Sequence, residues 1–254
     1  MKTEILYEDN SILVIRKPAG LAVQSAGIGQ PDVVSELKSY LAKLPGAGRP
    51  GKGEPYLGIV HRLDQPVEGL LVFAKDKKAA AALSKQLAEG ALNKHYYAVL
   101  CGYPDCPEGD LMDYLRKEGN VAVAVTGREQ EFADAKIAAL HYRILEEIND
   151  PSPLALADVT IGTGRFHQIR VQFAHAGFPL LGDTKYGTAA RKEAMPAQKY
   201  RGVALCAYSL ELVHPISGKK MGFRVVPKNP AFAGFAMEEL KKLTENETGI
   251  SKRG

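Results

Sequence analysis

The sequence predicts an α+β fold, an antiparallel-rich mixed sheet flanked by helices and loops. Strand-like segments follow one another without a helix between every pair, which disfavours a parallel array. Most of these segments alternate apolar and polar residues with period two. Only a few stretches carry the 3.6-residue apolar period of a helix, and 254 residues at 45% apolar content can bury a sizeable core.

In chain order, residues 4–7 (EILY) and 12–16 (ILVIR) read as a strand pair split by the turn Glu8-Asp9-Asn10-Ser11 and followed by the turn Lys17-Pro18-Ala19-Gly20. Pro31-Asp32 opens a helix in which Val33, Leu37 and Leu41 share a face, and Pro45-Gly46 stops it. Residues 45–56, rich in Gly and Pro and carrying Arg49 and Lys52, read as a flexible basic loop. Two apolar runs around 58–76 read as buried strand. Asp76 then caps a helix through about Glu89, with Ala79, Ala80, Leu83 and Leu87 inward and Gly90 as terminator. Strands are expected at 95–101, 135–146, 154–161, 203–213 and 221–226. A second clear helix is expected over 166–176, with Phe166, Ile169 and Phe173 as its apolar stripe and Gly177 at its end. After Pro227 come a loop, an amphipathic helix carrying Phe232, Phe235, Leu240 and Leu243, and a polar tail. There is no internal repeat and no obvious linker, so the expected division is one unit over 1–232 with a helix and tail over 233–254.

Composition narrows the function. A net charge of +4 permits a polyanionic partner without demanding one. The start MKTEILYEDN has the pattern of neither a secretory signal nor a transit peptide, and no apolar run approaches the roughly 20 residues of a membrane span. Three cysteines, Cys101, Cys106 and Cys206, without a C-x-x-C pair, point to a reduced, cytoplasmic protein without structural zinc. The histidines lack metal-ligand spacing, and the glycine-rich loops of nucleotide-triphosphate and dinucleotide chemistry are missing. An enzyme built this way must work with its own side chains.

The stretch GIVHRLDQPVEGLLVFAKD, 58–76, sets His61, Arg62 and Asp64 among core-like residues. In strand phase Val60, Arg62 and Asp64 share one face and His61 and Leu63 the other, while Pro66 ends the strand. Asp64 then stands at a strand-to-turn junction, rigid and reachable. That position suits a structural ion pair as well as a catalytic acid.

Together with VTIGTGRFHQIRVQFAHAGFPLLGDTKYG, 159–187, this stretch resembles the two signature regions of the RluA-type pseudouridine synthases. Those regions read H-R-L-D followed by G-L-L, and T-G-R-x-H-Q-I-R followed by a helix, Gly-Asp and Tyr-Gly. LYEDNSILVIRKPAGLAVQ, NKHYYAVLCG and ALCAYSLELVHPISGKKMGF extend the likeness over most of 4–226. One departure stands out: Val67-Glu68 occupies the place where many members carry Thr-Ser.

The resemblance implies a pseudouridine-synthase-type fold and isomerisation of uridine in rRNA or tRNA. The bond from ribose to the base nitrogen is cut, the base turns, and C5 joins the ribose. No cofactor and no metal is implied. By the family pattern Asp64 is the nucleophile, attacking sugar or base. Arg165 is its cationic partner, and Tyr96 packs on the target base. Arg62 corresponds to the residue that fills the space left by the everted nucleotide. For RNA grip the expected residues are Lys185, Arg191, Lys192, Lys199 and Arg201, with Tyr186 and Tyr200 among them. The partner is structured RNA, no membrane is involved, and the chain is expected to act as a monomer.

His61 and His167 read more readily as structural hydrogen-bonding groups than as acid–base groups, and Lys17 as scaffold. Arg170 fits a phosphate contact or a buried pair equally. Two other readings compete: a catalytically silent RNA-binding domain of the same fold, and a glycoside hydrolase pairing Asp64 with Glu68.

Overall fold

The structure, a computed structural model, describes residues 1–25, 27, 29–44, 54–126, 134–149, 152–187 and 202–236. The described chain groups into two compact units. The first comprises Met1–Lys94 with Ala207–Val225, and the second comprises His95–Cys206 with Val226–Gly254.

In the first unit β1 (Glu4–Glu8) pairs antiparallel with β2 (Ile12–Lys17), and β2 with β4 (Glu68–Ala74). The short β3 (Gly58–Ile59) pairs with β4, whose other neighbour in the sheet is β10 (Leu205–Val213). β11 (Lys220–Arg224) pairs antiparallel with β10. β4 is buried at every position, so it cannot show the alternation of a half-exposed strand. Gly69 lies on β4 with φ +126°, and a Cβ added there would stand 2.4 Å from the Ala207 carbonyl oxygen. No residue but glycine lets the two strands approach so closely.

Two helices belong to this unit, and both start where a carboxylate accepts from the first turn. Asp32 accepts from the Ser35 N–H at 2.7 Å to open α1 (Val33–Ala42), which buries Val33, Val34, Leu37 and Leu41. Asp76 accepts from the Ala79 N–H at 2.8 Å to open α2 (Lys77–Ala88), which buries Ala79 and Leu83 and ends at Gly90 with φ +70°.

The β1–β2 turn is tied to the distant 214–218 turn by one acid. Asp9 accepts the Ser11 and Ile12 N–H groups at 2.7 and 2.8 Å, and His214 Nε2–H at 2.7 Å. His214 Nδ1 in turn accepts from Ser217 N–H at 3.0 Å, which fixes the ring's tautomer. Burial pushes the Asp9 carboxyl up, but these hydrogen bonds outweigh it and hold it below its ordinary value of 3.8. A carboxyl depressed in the fold adds stability above its unfolded pKa, and that stability is lost as pH falls through the folded value. Asp9→Asn is therefore expected to lower stability by about 1–2 kcal/mol at pH 7, a difference that shrinks as acid protonates the wild-type carboxyl. Urea denaturation across pH 2–7 measures it.

In the second unit five strands run antiparallel in the order β5 (Asn93–Cys101), β9 (Pro153–Ile161), β8 (Lys136–Asn149), β6 (Glu108–Glu118), β7 (Val121–Val125). α3 (Gln168–His175) and a single 3-10 turn at Pro230–Phe232 complete the regular elements of the described residues.

Four expectations are corrected. β6 and β7 form a hairpin where none was expected, because EGDLMDYLRKE faces solvent along much of its length and its alternation is masked by charge. Residues 60–64 form no ladder. They still alternate, His61 and Leu63 buried and Arg62 exposed, because the extended backbone alone imposes the period. The second clear helix starts at Gln168, since His167 is left-handed with φ 54°, and Phe166 lies outside it, 37% exposed. Phe232 sits in the 3-10 turn and Phe235 beyond it, both buried, while Leu240 and Leu243 lie outside the described residues. Among the described residues no helix is long and apolar enough to cross a membrane.

Candidate active site

Asp64 sits in the first unit, in the turn that leads into β4, half-buried, with its carbonyl accepting from the Val67 N–H at 3.1 Å. Arg62 precedes it, exposed. Beneath the turn lies Lys17, fully buried, whose ammonium donates to the carbonyls of Leu21 (2.7 Å), Pro18 (3.0 Å) and Gln65 (3.0 Å). Burial pushes the Lys17 amine down to about 7, against the opposing pull of the Asp64 and Glu68 charges. The residue next to Asp64 is thus pinned from below by a cation, and Gly20 and Gln65 add reciprocal hydrogen bonds at 2.8 and 3.1 Å. Glu68 is buried on β4 with Arg16 Nη2 at 4.0 Å. Its carboxylate belongs to an internal charge cluster with Arg16, and its charge also acts on Lys17.

His61 is buried and its imidazole is pushed down to about 3, by burial first and by the Lys94 charge second. Burial also lowers the Lys94 amine. The His61 ring is neutral, and its Nε2 accepts from the Val72 N–H at 3.4 Å where β3 has ended. This is a structural environment.

In the second unit Tyr96 lies on β5 opposite Val159 of β9 and is 5% exposed; Tyr97 beside it is buried as well. Arg165 lies in the turn before α3, exposed, and its Nε donates to the Ile137 carbonyl at 2.9 Å. That bond leaves the terminal nitrogens of the guanidinium fork uncommitted by it. The left-handed His167 is the N-cap of α3 but makes no side-chain capping bond to the helix, which begins beyond Arg165.

Arg170 is buried and forms a two-point pair with Asp183, at 2.7 and 2.9 Å, which decides between the two readings open for it. Its guanidinium also stands 5.1 Å over the Tyr186 ring, and the Tyr186 hydroxyl accepts from Ala122 N–H and lies 2.6 Å from His167 Nδ1. Lys185 donates to the Asn120 carbonyl at 2.6 Å. Arg191, Lys192, Lys199 and Arg201, with Tyr200, lie outside the described residues, as do Arg49 and Lys52.

The sequence marks Lys17 only as scaffold, without its burial, and attaches no role to Gln168 or Asp183. A lysine in a K-P turn gives no sign of burial. Gln168 and Asp183 both fall in the second signature region, in H-Q-I-R and Gly-Asp, but the pattern alone does not say which backbone and side-chain groups they hold. Among the described residues no cluster of His, Cys, Asp and Glu could hold a metal ion.

Residues 11–175 match the family described as RNA pseudouridylate synthase. The ribosomal large subunit pseudouridine synthase D of Zymomonas mobilis is 36% identical over 227 residues, covering 87% of this chain and 68% of that one. Its counterpart from Escherichia coli is 37% identical, covering 86% of this chain and 65% of that one. The chain thus spans about two thirds of these relatives' length. Among solved structures, human RNA pseudouridylate synthase domain containing 4 superposes with a TM-score of 0.67 at 25% identity, covering 89% of each chain. Human RNA pseudouridylate synthase domain containing 1 shares the fold, with a TM-score of 0.70 at 19% identity and coverage of 96% of this chain and 94% of that one. With the family match spanning well over half of its length, this chain belongs to the RNA pseudouridylate synthases, isomerases that convert uridine in RNA to pseudouridine.

Proposed function

We propose that the chain isomerises specific uridines of ribosomal RNA, with Asp64 as nucleophile. The observation that carries this is the setting of Asp64, half-buried in a turn fixed by a fully buried lysine, within a chain that matches the family over 11–175. A nucleophilic carboxylate needs a rigid mount, and the anchored turn supplies it. Arg165 is the cation that steadies the charge of Asp64. Tyr96 packs on the target base, and Arg62, exposed ahead of Asp64, takes the place of the everted nucleotide. Lys185 and the basic residues Arg191, Lys192, Lys199 and Arg201 hold phosphates.

The preference for ribosomal over transfer RNA rests on the names of the bacterial relatives. The catalytic domain spans 1–232, with 233–254 as an appended segment, and the chain works in the cytoplasm as a monomer without cofactor or metal. Mapping pseudouridine across cellular RNA with and without the gene is the test. At least one ribosomal position should lose its modification and regain it on complementation. A map unchanged in ribosomal RNA but altered in transfer RNA would redirect the substrate, and one unchanged everywhere would end the proposal.

A further inference from the structure

β8 runs past the end of β9. The β8–β9 register begins with Leu140 against Ile161, whereas Lys136–Ala139 are still paired with β6 on their other edge. Beyond Ile161 the ladder is carried on by the loop that bears Arg165, and mostly by its side chains. Ala139 N–H donates to Thr163 Oγ1 at 3.2 Å. The Ala139 carbonyl accepts from Gly162 N–H and from Gln168 Nε2, both at 3.0 Å. Two residues along the strand, the Ile137 carbonyl accepts Arg165 Nε at 2.9 Å.

Gln168 is the hub of this arrangement. Its side chain is buried, and its Oε1 accepts both the Arg165 backbone N–H at 3.0 Å and the Thr163 hydroxyl at 2.7 Å. One amide therefore uses both acceptor positions on the loop and a donor on β8, so the main chain of Arg165 is held at a set distance from the strand. Arg165 is thus tied to β8 at two points, its backbone N–H through the Gln168 amide to the Ala139 carbonyl and its Nε directly to the Ile137 carbonyl.

We propose that Gln168 is a positioning residue for the isomerisation, acting through Arg165. The proposal rests on the reading of Arg165 given above. It gives the buried glutamine a role beyond packing: a cation that must meet developing charge cannot be left to sample rotamers, and misplacement by about 1 Å can cost on the order of 100-fold in rate.

The test is a double-mutant cycle read by the single-turnover rate of tritium release from 5-tritiated uridine in ribosomal RNA, alongside RNA affinity. Gln168→Leu is expected to lower the rate constant by about 10- to 100-fold while RNA affinity stays within about twofold. In an Arg165→Ala background the same substitution is expected to cost nothing further, because what it positions is gone. Thr163→Val removes one arm of the same hub and should show a smaller loss with the same non-additivity. It carries the test if Gln168→Leu fails to fold, as judged by thermal unfolding. A near-wild-type rate for both variants, or a loss that simply multiplies with that of Arg165→Ala, would overturn the proposal. Full activity in Arg165→Ala alone would instead remove the assigned role of Arg165.

Discussion

Asp64→Asn is expected to abolish pseudouridine formation, by at least about 10⁴-fold, while RNA binding survives. The amide has the shape of the carboxylate but neither its charge nor its nucleophilicity, so the loss reports chemistry rather than packing. The turn itself should persist. Its anchors are backbone groups, the Gln65 carbonyl on the Lys17 ammonium and the Val67 N–H on the Asp64 carbonyl, and neither involves the substituted atom. Asp64→Glu separates charge from placement: the anion is kept but displaced by a methylene, and a loss of about 100-fold is expected. Tritium release from 5-tritiated uridine, measured beside RNA binding by filter retention, distinguishes the cases. Activity within tenfold of wild type in Asp64→Asn would show that another group attacks.

The second large effect is on folding. In Gly69→Ala the new methyl would stand 2.4 Å from the Ala207 carbonyl oxygen and 2.5 Å from its nitrogen, both main-chain atoms of β10 that no side-chain rotation can move aside. Either β4 and β10 part, or the backbone leaves its φ of +126° and with it the register to Lys17 on β2. The cost is expected to exceed about 4 kcal/mol, a large fraction of the stability of a typical domain. Gly90→Ala is the control. Gly90 is also left-handed, with φ +70°, but a Cβ there meets nothing within 4 Å, so only the intrinsic strain of about 1 kcal/mol remains. Thermal unfolding and soluble yield of the two variants should differ sharply; equal, small losses would mean that the β4–β10 spacing tolerates a side chain.

Much of this fold is legible in the sequence, and the failures share a cause. α1 and α2 announce themselves, because Asp32 and Asp76 combine a cap with an apolar face on the following turns. β2 and β4 are plain from their aliphatic runs. The β6–β7 hairpin stays hidden because its partner, β8, supplies the order that its own charged residues do not suggest. The start of α3 is misplaced because Phe166 continues the apolar period while His167 breaks the helix with a left-handed φ that residue type does not signal. At the site, the H-R-L-D and T-G-R segments mark Asp64 and Arg165 as chemical residues through their resemblance to a family. Gln168 stands in the same T-G-R-x-H-Q-I-R segment and Lys17 in the family-like start, but the resemblance attaches no role to either. Both are polar groups whose partners are peptide carbonyls brought near by tertiary structure, and nothing in their local sequence says that those carbonyls will be there.

The borrowed ladder along Lys136–Ala139 has a bearing on solubility as well. A strand end with open peptide groups invites a foreign chain to add itself and begin a growing stack. Here the vacancy is filled by a threonine, a glutamine and an arginine of the neighbouring loop. The loop residues that cover this strand end therefore also act as a guard against self-association. A variant that slackens them is expected to expose those peptide groups and gain stickiness.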